Sequence, residues 1–196
     1  MTLASALLLA SLLFHAPRPA ETIPYFILDG KAVNGYDAND GELARYAMEA
    51  WARESGARLK FTSAKSEREA LLIVRWVSAD QGLFGEMQRI EVGGKSGAVV
   101  NISPGALSLG PKFAARASRD RLFRDSIVYL TCVHEIGHAL GLSHTDKFED
   151  IMYYFGYGGD LAMYFARYRD KLMTRTDIAK FSGLSANDIS ALKRLH

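Results

Sequence analysis

The feature that most constrains this chain is the run His134–His144, which reads HEIGHALGLSH. Residues four apart on a helix share one face, so His134 and His138 can bind a single ion. Gly141 can adopt the left-handed conformation that ends a helix, and the reversal can return His144 as a third ligand. Three neutral imidazoles leave one tetrahedral position of a zinc ion open to water, as in catalytic sites. Glu135 is then the expected base for that water.

The same spacing resembles the signature of the metzincin zinc peptidases. Met152 lies eight residues past His144, a separation similar to that of the matrixin branch. The resemblance implies a methionine turn below the metal, with Met152 as a structural floor and not a ligand. A plain core methionine is the alternative interpretation.

The resemblance also implies the fold. We expect an α+β domain with a mostly parallel, twisted sheet of about five strands, an antiparallel edge strand, an active-site helix, the methionine turn and a C-terminal helix. Residues 1–20 would be a leader and 21–196 the catalytic domain, with an upper part 21–141 and a lower part 142–196.

Hydrophobic patterning predicts individual elements. A first helix begins at Asn39 or Asp40 and ends at Gly56, with Leu43, Ala47 and Trp51 inward. The predicted strands are Tyr25–Leu28, Leu59–Phe61, Leu71–Val77, a weaker Phe84–Val92, and Gly97–Ile102. After a loop over Ala106–Ala117, the metal-binding helix is expected from about Ser118, with Phe123, Ile127 and Leu130 inward and Arg119, Asp120, Arg121, Arg124 and Asp125 solvated.

Two further helices are predicted in the last third of the chain. Asp160–Leu172 would bury Leu161, Tyr164, Phe165 and Tyr168. A last helix capped by Ser185 would turn Ile189, Leu192 and Leu195 inward. In matrixins the aspartate that matches Asp188 hydrogen-bonds the methionine turn, so the resemblance implies that contact here.

Substrate contacts come from the resemblance alone. It implies that the strand Gly97–Ile102 is the sheet edge that pairs with the substrate backbone, through Ala98, Val99, Val100 and Asn101. An ordinary buried strand is the alternative. The segment after the methionine turn would line the pocket for the substrate side chain that follows the cleaved bond, through Tyr153, Phe155 and Tyr157.

Tyr154 stands two residues after the turn methionine. In the astacin and serralysin branches, a tyrosine there can ligate zinc at rest and then stabilise the tetrahedral intermediate. Matrixins usually have proline at this position. Tyr154 is therefore a catalytic candidate, with packing or a place in the pocket wall as the alternative.

Composition narrows the partners and the compartment. With 24 basic and 22 acidic residues the net charge is +2, which gives no bias towards nucleic acid or anionic membranes. Cys132 is the only cysteine, so no intramolecular disulfide can form, and we expect a buried thiol. The apolar stretch Leu3–Phe14 is too short for a membrane span and suits a signal peptide, although no Lys or Arg precedes it. It predicts a secreted or periplasmic protein, and an apolar leader that stays attached is the alternative.

The predicted function is zinc-dependent hydrolysis of peptide bonds in a peptide or protein substrate, by a zinc-bound water activated by Glu135. We expect one zinc ion and a monomer, and leave calcium open. One alternative is a zinc hydrolase of cell-wall peptides or other non-protein amides. Another is a non-catalytic zinc-binding module, which the presence of Glu135 disfavours because a structural site needs no base.

Overall fold

A computed structural model describes residues 20–78, 84–105 and 110–196. The predicted leader, except for its last residue, lies outside the described residues, as do parts of the segments around positions 80 and 107. Among the described residues, no helix combines the length and apolar character needed to cross a membrane.

A five-stranded sheet forms the centre of the molecule, as predicted. Its strands are β1 (Glu21–Ile27), β2 (Leu59–Ser63), β3 (Leu72–Trp76), β4 (Gly85–Val92) and β5 (Lys95–Ile102). The order is β2-β1-β3-β5-β4, with all neighbours parallel except β4 and β5. The first strand lies inside the sheet and begins at Glu21, before Pro24, whereas the prediction began at Tyr25.

The prediction of the sheet edge is wrong. The predicted strand Gly97–Ile102 is part of β5, which lies between β3 and β4, so both of its backbone edges are paired. Gly93 and Gly94 both have positive φ (57° and 76°) and form a two-residue hairpin that folds β4 back along the outside of β5. No free backbone is therefore left for strand addition at Ala98, Val99, Val100 or Asn101.

Five α-helices are described: α1 (Asp40–Glu54), α2 (Pro111–Arg119), α3 (Arg121–Ala139), α4 (Leu161–Arg169) and α5 (Ala186–Leu195). The predicted helices match α1, α3, α4 and α5 within a few residues. The predicted loop is wrong from Pro111 onward, because Pro111 occupies the first turn of α2, where its missing N–H costs nothing. Asp120 then separates the two helices, and its side chain accepts a hydrogen bond from the Phe123 N–H (3.1 Å) at the start of α3.

The main core lies between the sheet and the helices α1 and α3. The predicted inward residues Leu43, Ala47 and Trp51 are buried, as are Phe123, Ile127 and Leu130. Trp51 Nε1 donates to the Val133 carbonyl (2.9 Å), which fixes α1 against the middle of α3. These contacts hold the second half of α3, where the histidines lie, rigidly against the sheet.

Some predicted orientations are wrong. Arg124 and Asp125, expected in water, are buried, because Arg124 forms ion pairs with Asp40 and Asp125 inside the fold. On α5, Leu192 is buried and Ile189 half-buried, but Leu195 is 53% exposed. On α4, Tyr164, Phe165 and Tyr168 are buried as predicted, and Leu161 is half-buried.

Candidate metal centre

The last turns of α3 carry two of the three histidines. The helix ends after Ala139, and Gly141 has φ of 96°. The Leu142 N–H donates to the Gly137 carbonyl (3.0 Å) and the Gly141 N–H to the His138 carbonyl (3.0 Å). These two bonds form a Schellman motif, whose left-handed residue is most easily a glycine. The predicted reversal at Gly141 is therefore confirmed.

The reversal brings the three imidazoles together. His144 Nε2 lies 3.2 Å from His134 Nε2 and 3.1 Å from His138 Nε2. Three nitrogens bound tetrahedrally to zinc at its usual bond length would be about 3.3 Å apart. The histidine nitrogens therefore fit one zinc ion. Among the described residues, this is also the one group of three or more His, Cys, Asp or Glu side chains with ligand spacing.

The outer ring nitrogens of two histidines have backbone partners. His134 Nδ1 lies 2.7 Å from the Ile151 carbonyl and His138 Nδ1 lies 2.9 Å from the Leu142 carbonyl. A carbonyl can only accept, so each Nδ1 carries its proton and leaves Nε2 free for a metal. Burial lowers the pKa of His134 to about 4, against the effect of its bond to Ile151. The imidazole is therefore held in the neutral form that binds metal.

Glu135 is buried beside the histidines under the first residue of β4. A Cβ added to Gly85 would lie 2.6 Å from Glu135 Cγ and 2.8 Å from its Oε1, so only glycine lets β4 pass this close. Burial, together with repulsion from Glu86, raises the pKa of Glu135 to about 7, while a backbone hydrogen bond from Met87 acts in the other direction. Such a carboxyl group can both accept and return a proton near neutral pH.

Met152 packs against the helix that carries two of the histidines. Its side chain is buried, and its sulfur lies 2.5 Å from where a Cβ on Gly137 would stand. Gly137, one residue before His138, therefore lets the methionine press directly against the helix that carries the ligands. The sequence pattern alone did not reveal this contact.

The methionine turn is tied to α5 by buried carboxylates. Asp188 accepts hydrogen bonds from the N–H groups of Ile151 (2.8 Å) and Met152 (3.3 Å), as expected. Asp150, which sequence reasoning had assigned no role, accepts bonds from Ser185 Oγ (2.6 Å), Asn187 Nδ2 (2.6 Å) and Thr145 Oγ1 (2.8 Å). The Ile151 carbonyl that orients His134 is thus fixed from the far end of the chain.

Comparison with known proteins agrees with this geometry. The family model for matrixins matches residues 20–195, nearly the whole chain. The chain belongs to the matrixin family. Matrixins are zinc-dependent metallopeptidases, and the three histidines form a group that could hold the metal. A search of curated protein sequences gives no significant match.

In this matrixin an apolar pocket opens beside Glu135 and His134. Phe84, Leu130, Phe155, Tyr164 and Phe165 supply most of its lining, and Gly85 and Thr131 complete it. Phe155 is the predicted pocket residue that lines it. Tyr153 is instead buried and donates to the Gly158 carbonyl (3.0 Å), and Tyr157 is 67% exposed at the surface.

Tyr154 lies on the open side of the metal centre. Its ring centroid is 4.9 Å from that of His144, and its hydroxyl is 2.7 Å from the position that a Cβ on Gly156 would occupy. The ring is 46% exposed. The structure thus brings Tyr154 to the third histidine and turns its hydroxyl over the glycine that follows.

Cys132, which was predicted to be a buried thiol, has no part in this site. It is fully buried in α3, and burial raises its pKa far above that of a free thiol. A buried and protonated thiol is neither a metal ligand nor a nucleophile.

Proposed function

We propose that this matrixin is a zinc-dependent endopeptidase. The observation that carries the proposal is the convergence of His134, His138 and His144 at ligand spacing beside the buried carboxylate of Glu135. A structural zinc site would need a fourth protein ligand and no base. Three ligands with an adjacent carboxylate favour hydrolysis instead.

The residues have distinct roles in this proposal. Zinc held by the three histidines supplies Lewis acidity towards a carbonyl oxygen and towards a water molecule. Glu135 accepts the proton of the attacking water and delivers it to the leaving amine, which its raised pKa allows near neutral pH. The carbonyls of Ile151 and Leu142 keep two imidazoles in the orientation and tautomer that zinc binding needs.

We assign substrate binding to the outer edge of β4, because β5 is not available. The Phe84 carbonyl accepts from the Ser103 N–H (2.9 Å), so the backbone groups of Phe84 point towards the neighbouring strand. Backbone N–H and C=O groups of successive residues point to opposite sides of a strand, so those of Gly85, Met87 and Arg89 point away from β5. No described strand pairs with them. The Met87 N–H donates to Glu135, and an added peptide strand would replace that bond. An extended peptide can add there as a further strand and pass directly over Glu135.

The apolar pocket would take the side chain that follows the cleaved bond. Gly85 and Glu135 both line it, and aromatic and aliphatic side chains form most of its walls. An apolar side chain at this substrate position is expected, since an unpaired polar group would lose its hydrogen bonds with water. Phe155 is the residue of the segment after the methionine turn that contributes to this wall.

Tyr154 is the second catalytic candidate. A hydroxyl close to the metal could donate a hydrogen bond to the oxyanion of the tetrahedral intermediate. The ring lies beside His144, which supports such a role, and its contact with Gly156 supports a role in shaping the cleft. Tyr154→Phe keeps the ring and removes the hydroxyl, so it separates the two roles.

The proposed enzyme acts outside the cytoplasm on peptides or proteins. The apolar stretch Leu3–Phe14 supports export through a signal sequence. Non-protein amides, such as cell-wall peptides, would require the same catalytic groups and remain an outcome of the substrate test below.

Zinc analysis combined with a peptide-library cleavage assay tests the proposal. The wild-type chain should bind one zinc ion and cleave peptides before apolar residues. Glu135→Gln should keep the zinc and lose about 10²-fold or more in kcat, because proton transfer typically contributes that much. In the same assay, a lowered kcat for Tyr154→Phe with zinc retained would support the hydroxyl, and an unchanged kcat would leave the ring as part of the wall.

The matched control is Glu49→Gln, which removes the same charge from an exposed position on α1. It should keep both zinc and turnover. Full turnover by zinc-loaded Glu135→Gln would contradict the proposal. Cleavage of cell-wall fragments but of no peptide would favour the non-protein alternative.

A further inference from the structure

Arg89 on β4 is a charged residue near the metal centre that the reaction itself does not use. Its Nη2 donates to the backbone carbonyl of His138 (3.3 Å), whose side chain belongs to the metal centre. The side chain is exposed, and Arg89 forms no ion pair with a described carboxylate. Most of its five N–H donors are therefore free for a ligand.

The position of Arg89 on the strand fixes the face on which it lies. Gly85, Met87 and Arg89 are alternate residues of β4, so their side-chain directions share one face of the sheet. Gly85 faces Glu135 and Met87 packs on the main core, so this is the face covered by α3. The contact between Arg89 and His138 confirms that the guanidinium lies there.

The guanidinium also has space around it. Arg89 lines a cavity of about 210 Å³ beneath the sheet, whose other walls come from β1, β2, the start of β3, β5 and the end of α3. Among the described lining residues of this cavity, Glu21 is the one carboxylate, and its Oε2 lies 3.1 Å from His196 Nδ1. The guanidinium thus borders open space beneath the sheet, and its own exposure leaves its donors accessible from the surface.

An added substrate strand would bring alternate side chains to this face. Directly opposite residues of antiparallel strands turn their side chains to the same side. If the residue after the scissile bond enters the pocket beside Gly85, the next side chain on that face belongs to the second residue before the bond. It would lie opposite Met87, and the following side chain on that face, from the fourth residue before the bond, would lie directly opposite Arg89.

We propose that Arg89 selects an acidic side chain at the fourth residue before the scissile bond. This inference rests on the proposed endopeptidase function and on substrate addition to β4. The recognition is a charge-assisted contact between a guanidinium and a carboxylate, which can be bidentate. Arg89 is thus a specificity-determining residue, and the preferred substrates are peptides with an acidic residue, three further residues, and then the bond before an apolar residue.

Paired fluorogenic peptides that differ only in Glu or Gln at that position test the assignment in the full-length chain. The wild type should cleave the Glu peptide with a kcat/KM about three- to fivefold higher at low salt, as expected for a partly exposed ion pair. The ratio should approach one at about 1 M salt because the charges are screened. Arg89→Gln should remove the preference while the Gln peptide is cleaved at a rate within about twofold of wild type.

Two comparisons separate this role from a structural one. Arg68→Gln removes the same charge from an exposed position between β2 and β3 and should keep the Glu preference. Arg89→Glu should shift the preference towards Lys at the same substrate position. If Arg89→Gln lowers cleavage of both peptides equally and keeps their ratio, Arg89 only anchors the end of α3, and the inference is overturned.

The same experiment distinguishes the inference from the function on which it rests. Cleavage of neither peptide, nor of any library member, would reject the endopeptidase and with it this role of Arg89. Equal cleavage of both peptides by the wild type, or an acidic preference at another position only, would reject the role of Arg89 and leave the endopeptidase standing.

Discussion

Gly85 shows how one missing side chain positions the proposed base. A Cβ at this residue would meet Glu135 Cγ at 2.6 Å and Thr131 Cγ2 at 2.9 Å. Because the Glu135 side chain can rotate, Gly85→Ala should leave the fold intact but displace the carboxylate. We expect a fall in kcat/KM of about 10²-fold, the typical cost of moving a catalytic group by about 1 Å, with zinc content unchanged.

Peptide cleavage and zinc analysis of Gly85→Ala are compared with Gly41→Ala. At Gly41 a Cβ would meet only Ile27 Cγ2 at 3.8 Å, an ordinary contact, so this variant should behave like the wild type. Wild-type turnover by Gly85→Ala would show that the close passage of β4 does not position Glu135.

The sequence predicted the metal-binding residues but not the residues that support them. His134, Glu135, His138 and His144 could be recognised because helical spacing and Gly141 place them together through local geometry. Gly85 and Gly137 act through contacts with Glu135 and Met152, and Asp150 through contacts with α5. A glycine inside a strand does indicate a close approach, but not the residue that approaches.

At the scale of elements, the error lay in the order of the strands. The run Phe84–Val92 is a weak strand prediction because it contains Gly85, and the resemblance alone assigned the sheet edge to Gly97–Ile102. The more polar run, Phe84–Val92, contains the outer strand β4. Its polar residues suit this place because an edge strand has one solvated side. Gly93-Gly94 between the two runs is a hairpin signal that could have placed β4 outside β5.

The contact between α5 and the methionine turn is an element-scale feature that can be tested. Asp188 accepts hydrogen bonds from the N–H groups of Ile151, Met152 and Ser185. Asp188→Ala would leave these buried donors unsatisfied, so we expect the free energy of unfolding to fall by about 2–4 kcal/mol. Zinc affinity should fall about 10- to 100-fold, because the Ile151 carbonyl that orients His134 lies on the released turn.

Urea unfolding and zinc competition with a chelator measure both effects. Asp170→Ala, an exposed aspartate at the end of α4, is the matched control and should change neither quantity. Weaker folding of Asp188→Ala with unchanged zinc affinity would show that α5 stabilises the domain without supporting the metal centre.

At the scale of the whole molecule, a buried ion-pair network joins segments that are distant in sequence. Arg124 on α3 donates to both carboxylate oxygens of Asp40 at the start of α1, to the Gly35 carbonyl (2.7 Å) and to the Pro104 carbonyl (3.3 Å). Asp125 accepts from Arg175 Nε (3.0 Å) near the end of the chain. Periodicity assigned Arg124 and Asp125 to the solvated face, because a sequence pattern cannot show which charges find buried partners.

Removing one partner of the buried Arg124–Asp40 ion pair should lower the free energy of unfolding more than removing both charges. Arg124→Met leaves the Asp40 carboxylate buried without its cation, so we expect the free energy of unfolding to fall by about 3–5 kcal/mol. Adding Asp40→Asn removes the stranded charge and keeps an acceptor for the Asp37 N–H (2.9 Å), so the double variant should regain part of that loss.

The control is Arg121→Met, which removes an exposed partner of Asp37 and should lower the free energy of unfolding by at most about 1 kcal/mol. Urea titrations followed by tryptophan fluorescence compare the three variants, and a cost for Arg124→Met as small as that for Arg121→Met would show that the network does not hold these segments together.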